Sequence, residues 1–169
     1  MSPVVAAVVI REAREDDARA LYEAWMGVRR HYAAVDPRIV PAPVSAEEFA
    51  VGLSERIVRP EAATFVAVAG PNVVGFITGG IEAGQPDRLP DRHATIGHLF
   101  VDEDRRRQGI GARLFRALAE WARQQDGAAH FEMTVLDADD DARHFWAAIG
   151  FAPFIQRLWA PIDNSGGRL

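Results

Sequence analysis

The most constraining feature of this sequence is a junction at residues 99–125, where an apolar run, a charged turn and a long amphipathic pattern follow one another directly. Residues 102–108 are all charged or polar, and Gly109 and Gly111 come next. Apolar residues then recur at spacings of three and four up to residue 125. This order predicts a β-strand, a tight turn and then a helix over residues 110–125.

The rest of the chain supplies enough elements for a sheet covered by helices. Strands are predicted at residues 4–10, 64–69, 73–81, 94–101, 130–136 and 151–161, and helices at 16–30, 45–58, 110–125 and 139–149. Because strands and helices alternate in the second half alone, we predict an α/β (α+β) fold with a mixed, mainly antiparallel sheet of about six or seven strands flanked by helices.

Two further local patterns refine this prediction. Three prolines make residues 31–44 irregular, and Ser45 with Glu48 form a predicted capping box at the start of the second helix. No linker or internal repeat divides the chain. We therefore expect a single domain over residues 1–169, with a frayed tail at 163–169.

Composition excludes several kinds of chemistry. The 169 residues contain no cysteine, and all 19 basic residues are arginine. Disulfides, thiolate sites, Schiff-base lysines and phosphate-binding lysines are therefore excluded. A formal net charge of −5 weighs against a nucleic-acid partner and mildly favours a cationic substrate. The absence of cysteine suggests the reducing cytoplasm. No apolar run is long enough for a membrane span, so we expect no membrane partner.

Gly109 and Gly111 give the predicted helix start the properties of an anion-binding site. The first backbone N–H groups of a helix have no intrahelical partner and carry partial positive charge. Without side chains at the two glycines, a phosphate can approach these groups closely. A dinucleotide-binding fold expects a third glycine where Leu114 stands, so that interpretation loses support. The alternative, that the glycines merely let the helix start and pack, stays open at this point.

Two sequence patterns at and after this junction resemble those of a known family. Residues 106–111, Arg-Arg-Gln-Gly-Ile-Gly, match the pattern R/Q-x-x-G-x-G/A. Residues 139–151 follow the pattern N-x-x-A-x-x-F/L-Y-x-x-x-G-F, with Asp139 in place of the asparagine and Trp146 in place of the tyrosine. In these motifs, their order and their spacing, the chain is similar to the GNAT superfamily of acyl-CoA-dependent N-acetyltransferases, most strongly over residues 73–154.

The resemblance implies that acetyl-CoA is the cosubstrate. Its pyrophosphate is expected on the backbone amides of residues 106–112, and its pantetheine arm beside the strand that ends at Val101. In many family members the tyrosine protonates the departing thiolate, a role that an indole N–H cannot fill. Trp146 either packs against the pantetheine or acetyl end or fills the core. The implied cofactor-binding residues are Leu99, Phe100, Val101, Arg106, Arg107, Gln108, Gly109, Ile110, Gly111, Ala112, Asp139 and Trp146.

Transfer to an amine needs a base more than it needs an acid. At pH 7 a thiol with a pKa near 8.5 leaves as thiolate at a cost of about 2 kcal/mol, whereas deprotonating an alkylamine costs about 4.6 kcal/mol. His98 is the first candidate for the base and Glu82 the second, while Tyr32 is a candidate for acceptor contact or for a substitute acid. Neighbours on a strand face opposite sides, so the sequence leaves open which of them faces the cleft.

The sequence therefore predicts an N-acetyltransferase that moves the acetyl group of acetyl-CoA to a primary amine of an unidentified small molecule or peptide by direct attack. A noncatalytic acyl-CoA-binding or sensing module is the alternative, suggested by Trp146, and a generic nucleotide-binding protein is a third possibility. The histidine spacing matches no metal-binding pattern, so we expect no metal. The expected partners are acetyl-CoA and an amine acceptor, with the chain as a monomer or homodimer.

Overall fold

The computed structural model describes residues 7–87 and 89–162. Residues 4–6 of the predicted first strand and the predicted tail at 163–169 lie outside the described residues. The strands are β1 (Val8–Glu12), β2 (Ala62–Ala69), β3 (Asn72–Ala83), β4 (Arg92–Val101) and β5 (Ala128–Met133). The helices are α1 (Ala18–Val35), α2 (Ala46–Ile57), α3 (Ile110–Arg123) and α4 (Asp140–Ala148), with 3₁₀ turns at Glu15–Asp17 and Glu103–Arg105.

The strands form a sheet in the order β1-β2-β3-β4-β5. The first three pairings are antiparallel, and β4 pairs with β5 in parallel. Gly70, at a φ of 60°, begins the two-residue loop that joins β2 to β3 as a hairpin. The prediction of a mixed, mainly antiparallel sheet flanked by helices is confirmed, although the described chain contributes five strands and not six or seven.

The missing strand is the one predicted at residues 151–161, which the structure leaves without regular secondary structure and outside the sheet. Pro153 and Pro161 have no N–H to donate to a strand ladder, which limits pairing along this segment. The segment runs back toward the connection between α1 and α2, where the guanidinium carbon of Arg38 lies 5.3 Å from the centre of the Trp159 ring. This prediction of a last strand was wrong.

The boundaries of the first two helices differ in how well the sequence predicted them. The irregular stretch predicted for residues 31–44 begins late, because α1 continues to Val35 and closes with the Asp36 N–H on the Tyr32 carbonyl at 3.0 Å. The prolines all follow Asp36, so nothing interrupts the last helical turn. The capping box before α2 is confirmed: Ser45 Oγ accepts from the Glu48 N–H at 3.1 Å, and Glu48 Oε2 accepts from the Ser45 N–H at 2.7 Å.

Each face of the sheet carries its own apolar layer. On one face, β1–β4 pack against α3 and α4 around Ile77, Leu114 and Leu118. On the other face, α1 and α2 pack on Val66 and Phe76. Among the described residues, no helix combines the length and the apolar character that crossing a bilayer requires.

A half-buried ion pair ties β1 to the turn before α1, and we expect Asp17→Asn to destabilise the protein by about 2 kcal/mol. Asp17 accepts from both terminal nitrogens of Arg11 at 2.7 and 2.8 Å and from the Arg14 N–H at 2.8 Å. The Arg11 side chain, helped by the Arg14 amide, lowers the pKa of Asp17 below its ordinary 3.8.

Because this pKa is lowered in the folded state, the stabilisation is fully present above about pH 4. It is lost as the pH falls through the lower, folded value. Urea unfolding at a series of pH values should show that the difference in the free energy of unfolding between wild type and Asp17→Asn becomes smaller in acid. The exposed neighbour provides the control, since Asp16→Asn makes the same change without these contacts. Equal destabilisation by Asp17→Asn and Asp16→Asn would contradict the assignment of this stabilisation to the Arg11–Asp17 ion pair.

Candidate active site

The sheet opens between β4 and β5. The two strands pair from Arg92 to Ile96 on β4, and β4 then continues to Val101 without β5 beside it. The Asp102 N–H donates to the Val74 carbonyl at 3.0 Å, so the even-numbered residues at this end of β4 direct their backbone groups toward β3. The backbone groups of Leu99 therefore point into the opening, as strand pairing alternates from residue to residue.

A register shift in β4 sits at the inner end of this opening. Thr78 on β3 is opposite His98, whereas Gly79 is opposite Ile96, so Gly97 is the extra residue of a β-bulge. The His98 N–H donates to Thr78 Oγ1 at 3.0 Å. A Cβ atom at Gly97 would lie 2.8 Å from the same hydroxyl oxygen, which explains why a glycine occupies the bulge.

The turn after β4 presents backbone donors at the outer end of the opening. Gly109 caps α3 with a φ of 77° and offers no side chain to the helix, whose first turn contains no acidic residue. The first bond within α3 runs from the Arg113 N–H to the Gly109 carbonyl at 3.1 Å, which leaves the amides of Ile110, Gly111 and Ala112 without intrahelical partners. Arg106 Nε binds the Val101 carbonyl at 3.1 Å and holds the turn against the strand.

The second motif lies across the opening from this turn. Asp139 caps α4, accepting from the Ala142 N–H at 3.1 Å, and is 6% exposed. The ring of Phe145 stands over Gly111, where an added Cβ would come within 3.2 Å of it. Trp146 faces the core and makes edge contacts with Phe115 and other aromatic rings, so the structure places it among the packing residues. Its assignment to the cofactor stays a prediction.

A hydrogen-bonded pair connects two helices beside the opening, α1 and α4. His31 Nε2 lies 2.6 Å from Asp139 Oδ2, which connects α1 to the cap of α4. Tyr32, the next residue, packs in the apolar layer under α1, and burial followed by the charge of Asp139 raises the pKa of its hydroxyl. Tyr32 therefore keeps its proton at neutral pH.

The two candidate bases lie on the sheet face opposite α3. Leu99 packs toward α3, so His98 faces the other side, beside α1 and α2. Burial, and then the positive charge of Arg56, lower the pKa of His98 below 6.5, which favours neutral imidazole. Glu82 lies on the same face, exposed and hydrogen-bonded to Thr95 Oγ1 at 3.3 Å. It is four residues along β3 from Thr78, roughly 13 Å away.

Sequence reasoning missed three residues here. His31 and Asp139 are 108 positions apart in the sequence, so no local pattern predicts their contact. Arg56 contacts the sheet from the end of α2, and no local pattern predicts that contact either. Phe145 did have one, because it stands inside the second motif next to Trp146. Among residues 7–87 and 89–162, no group of three histidine or acidic side chains is placed to hold a metal ion.

Comparison with known proteins connects this geometry to a family. The Acetyltransferase (GNAT) family matches residues 25–151. No curated protein sequence matches the chain.

Solved structures agree with this match in fold. A tetramutant of the BH1408 protein from Bacillus halodurans has a TM-score of 0.78 at 19% identity, with 91% of this chain and 99% of that chain covered. The aminoglycoside N-acetyltransferase AAC(6')-Iy in complex with CoA has a TM-score of 0.72 at 17% identity, with 95% and 98% covered. A possible acetyltransferase from Clostridium difficile 630 has a TM-score of 0.70 at 16% identity, with 91% and 96% covered. The resemblance found in residues 106–111 and 139–151 is confirmed, and the chain belongs to the acetyltransferase (GNAT) family.

Proposed function

We propose that this protein, as one domain over residues 1–169, transfers the acetyl group of acetyl-CoA to a primary amine. The observation that carries the proposal is the opening of β4 from β5, with the backbone groups of Leu99 at one end and the free amides of α3 at the other. A strand edge suits the amides of a pantetheine arm, and a helix start suits a pyrophosphate. Both features fit one extended CoA thioester.

Two parts of the CoA thioester, the pyrophosphate and the pantetheine arm, each have their own proposed contacts. The amides of residues 106–112 bind the pyrophosphate, and β4 pairs with the pantetheine arm. Charge-assisted hydrogen bonds contribute roughly 1.5 to 3 kcal/mol each, so several of them hold the anion without a lysine or a metal. The proposed set is Leu99, Phe100, Val101, Arg106, Arg107, Gln108, Gly109, Ile110, Gly111, Ala112, Asp139 and Trp146.

The proposed reaction is a direct attack with His98 as the base. The acceptor ammonium gives one proton to the His98 imidazole, and its nitrogen then forms a bond to the thioester carbonyl carbon. The carbon–sulfur bond breaks, the CoA thiolate leaves, and a second nitrogen proton reaches that thiolate through Tyr32 or solvent. Glu82 is the second candidate for the base. Burial and then the charge of Arg56 lower the pKa of His98, which keeps the imidazole neutral and able to accept a proton at pH 7.

Binding and turnover test the proposal directly. Titration calorimetry should show acetyl-CoA binding that ATP and NAD do not displace at comparable concentration. Consumption of acetyl-CoA should then be measured against a panel of amines that contains polyamines, amino acids, peptide N-termini and aminoglycosides. The last class is included because a structural neighbour, AAC(6')-Iy, is named as an aminoglycoside N-acetyltransferase. Displacement by ATP or NAD would instead indicate a generic nucleotide-binding protein.

The alternative of a noncatalytic acyl-CoA-binding or sensing module rests on Trp146. The indole occupies the position where the motif has tyrosine, and the structure buries it at 6% exposure. Tight CoA binding without turnover of any amine across the panel would favour this alternative.

We expect His98→Gln to lower kcat/KM roughly 10²-fold at pH 7, the lower end of what a positioned base contributes. Since burial and Arg56 lower the pKa of His98, the acid limb of the wild-type pH profile should have its midpoint below 6.5 and should disappear in the variant. His130→Gln is the control, because His130 lies exposed on β5 on the same sheet face. An unchanged pH profile in His98→Gln would shift the assignment to Glu82.

A further inference from the structure

Arg56, near the end of α2, makes contacts that packing alone does not explain. Its Nη2 donates to the carbonyls of Gly79 and Ala63, the latter at 3.3 Å, and its Nε donates to Thr64 Oγ1 at 3.2 Å. Ala63 and Gly79 face each other across β2 and β3. In the described chain these partners are two carbonyls and a hydroxyl, without a carboxylate. A half-buried guanidinium that makes no salt bridge is costly, even with the charge of Glu82 acting on it from farther away, and an apolar residue would fill the space at lower cost.

The position of these contacts connects Arg56 to the bulge. Gly79 is the residue at which the β3–β4 register changes, and its neighbour Thr78 accepts the His98 N–H at 3.0 Å. Gly97 packs directly over that hydroxyl. A rigid hold on Gly79 therefore fixes Thr78, and Thr78 in turn fixes the backbone of His98.

The charge of Arg56 also reaches the His98 side chain, since it is the second cause, after burial, of the lowered pKa of that imidazole. Burial and then the positive charge of Arg59 lower the pKa of Arg56, while the charge of Glu82 acts in the opposite direction. Farther along the same sheet face as His98 lie His93 on β4 and the His130–Glu132 pair on β5.

We infer that Arg56 is a positioning residue, which holds the register shift at Gly79 and thereby places His98 at the inner end of the β4–β5 opening. This inference rests on the proposed function, because it gives Arg56 its role through the base. Arg56 touches neither the thioester nor the amine. Its guanidinium determines where the imidazole stands and keeps a positive charge beside it.

Three variants separate the position, the charge and the general effect of losing an arginine. Arg56→Met keeps the length of the side chain and removes both charge and donors. Arg56→Lys keeps the charge and cannot span the Ala63, Thr64 and Gly79 acceptors. Arg59→Met is the matched control, since Arg59 is 66% exposed and pairs loosely with Glu55 at 3.9 Å.

The expected result is a loss of turnover without a loss of cofactor. In Arg56→Met, kcat should fall roughly 10²-fold, as expected for a displacement of about 1 Å at a reacting group. The acetyl-CoA Kd from calorimetry should stay within about threefold, since the amides of α3 are untouched. Proton NMR, with the signal assigned through His98→Gln, should show the His98 titration midpoint moving upward. Arg56→Lys should lose turnover while keeping that midpoint, and Arg59→Met should match wild type in all three measurements.

Other outcomes would overturn the inference. Wild-type kcat and an unmoved His98 midpoint in a folded Arg56→Met protein would do so, as would equal changes in Arg59→Met. If Arg56→Met does not fold, Arg56→Lys with wild-type kcat is sufficient to reject the role. A wild-type protein that acetylates no amine would overturn the proposed function, and the titration would still decide whether Arg56 acts on His98, because it needs no turnover.

Discussion

Replacing Gly111 with leucine should weaken acetyl-CoA binding by roughly 10³-fold. Gly111 lies in the first turn of α3, and an added Cβ would already stand 3.2 Å from the Phe145 ring. A longer side chain must either displace that ring or project over the amides of Ile110 and Ala112. Loss of about three hydrogen bonds to the pyrophosphate, at about 1.5 kcal/mol each, amounts to about 4.5 kcal/mol, enough for a 10³-fold loss of affinity. Titration calorimetry measures the change.

The chain offers a matched control for this substitution. Gly52 is an exposed helical glycine in α2, and nothing lies within 4 Å of the position its Cβ would take. Gly52→Leu should leave acetyl-CoA affinity unchanged and should raise helix stability slightly. A second pair separates backbone strain from blocked access: Gly109→Val and Gly70→Val both place valine at a positive φ with open space around it. Undiminished affinity in both Gly111→Leu and Gly109→Val would remove the basis of the proposed cofactor site.

The second large effect concerns the fold beneath the site, where we expect Leu118→Ala to cost about 4 kcal/mol of unfolding free energy. Leu118 is fully buried in α3, and its Cδ1 lies 2.6 Å from where a Cβ of Gly79 would stand. Truncation leaves a cavity under the register shift of β3, and the backbone around it cannot close in without distorting the sheet. A cost of this size should lower the melting temperature by roughly 10 °C.

Chemical denaturation of Leu118→Ala and Val51→Ala would check this estimate. Val51 sits on α2 with 61% of its surface exposed, so its truncation should change stability by less than about 0.5 kcal/mol. Similar losses in the two variants would mean that α3 does not anchor the sheet at Leu118. Leu118→Ala should also bind acetyl-CoA more weakly, because α3 carries the amides that we propose to bind the pyrophosphate.

Local chemistry explains which parts of the structure were predictable from the sequence. The Ser45–Glu48 capping box is a pattern of four residues whose hydrogen bonds close on themselves, so no distant partner is needed. The glycine at position 109 also has a local explanation, because the backbone there has a positive φ at the start of α3. The alternation of Leu99 and His98 was also readable, although which face carried helix α3 was not.

Long-range pairing explains what could not be predicted. His31 meets Asp139 through the packing of α1 against β4, where the Gly27 backbone approaches Phe100, and no short pattern encodes that approach. Residues 151–161 have the composition of a strand, but a strand exists through its neighbour's hydrogen bonds, and two prolines remove donors. The last turn of α1 goes beyond the predicted end of the helix because Pro37 and the prolines after it restrict only the residues next to them, and the backbone up to Val35 keeps its helical hydrogen bonds.

The opening along β4 borders both faces of the sheet, and this bears on the order of events in the proposed reaction. Helices α3 and α4 fill one side of the sheet, while the His98 imidazole lies on the opposite side. Under the proposed function, the thioester would lie in the opening and the amine would approach over the imidazole from the other face. The two reactants would then form a ternary complex, and the acetyl group would pass from donor to acceptor without a covalent intermediate on the protein.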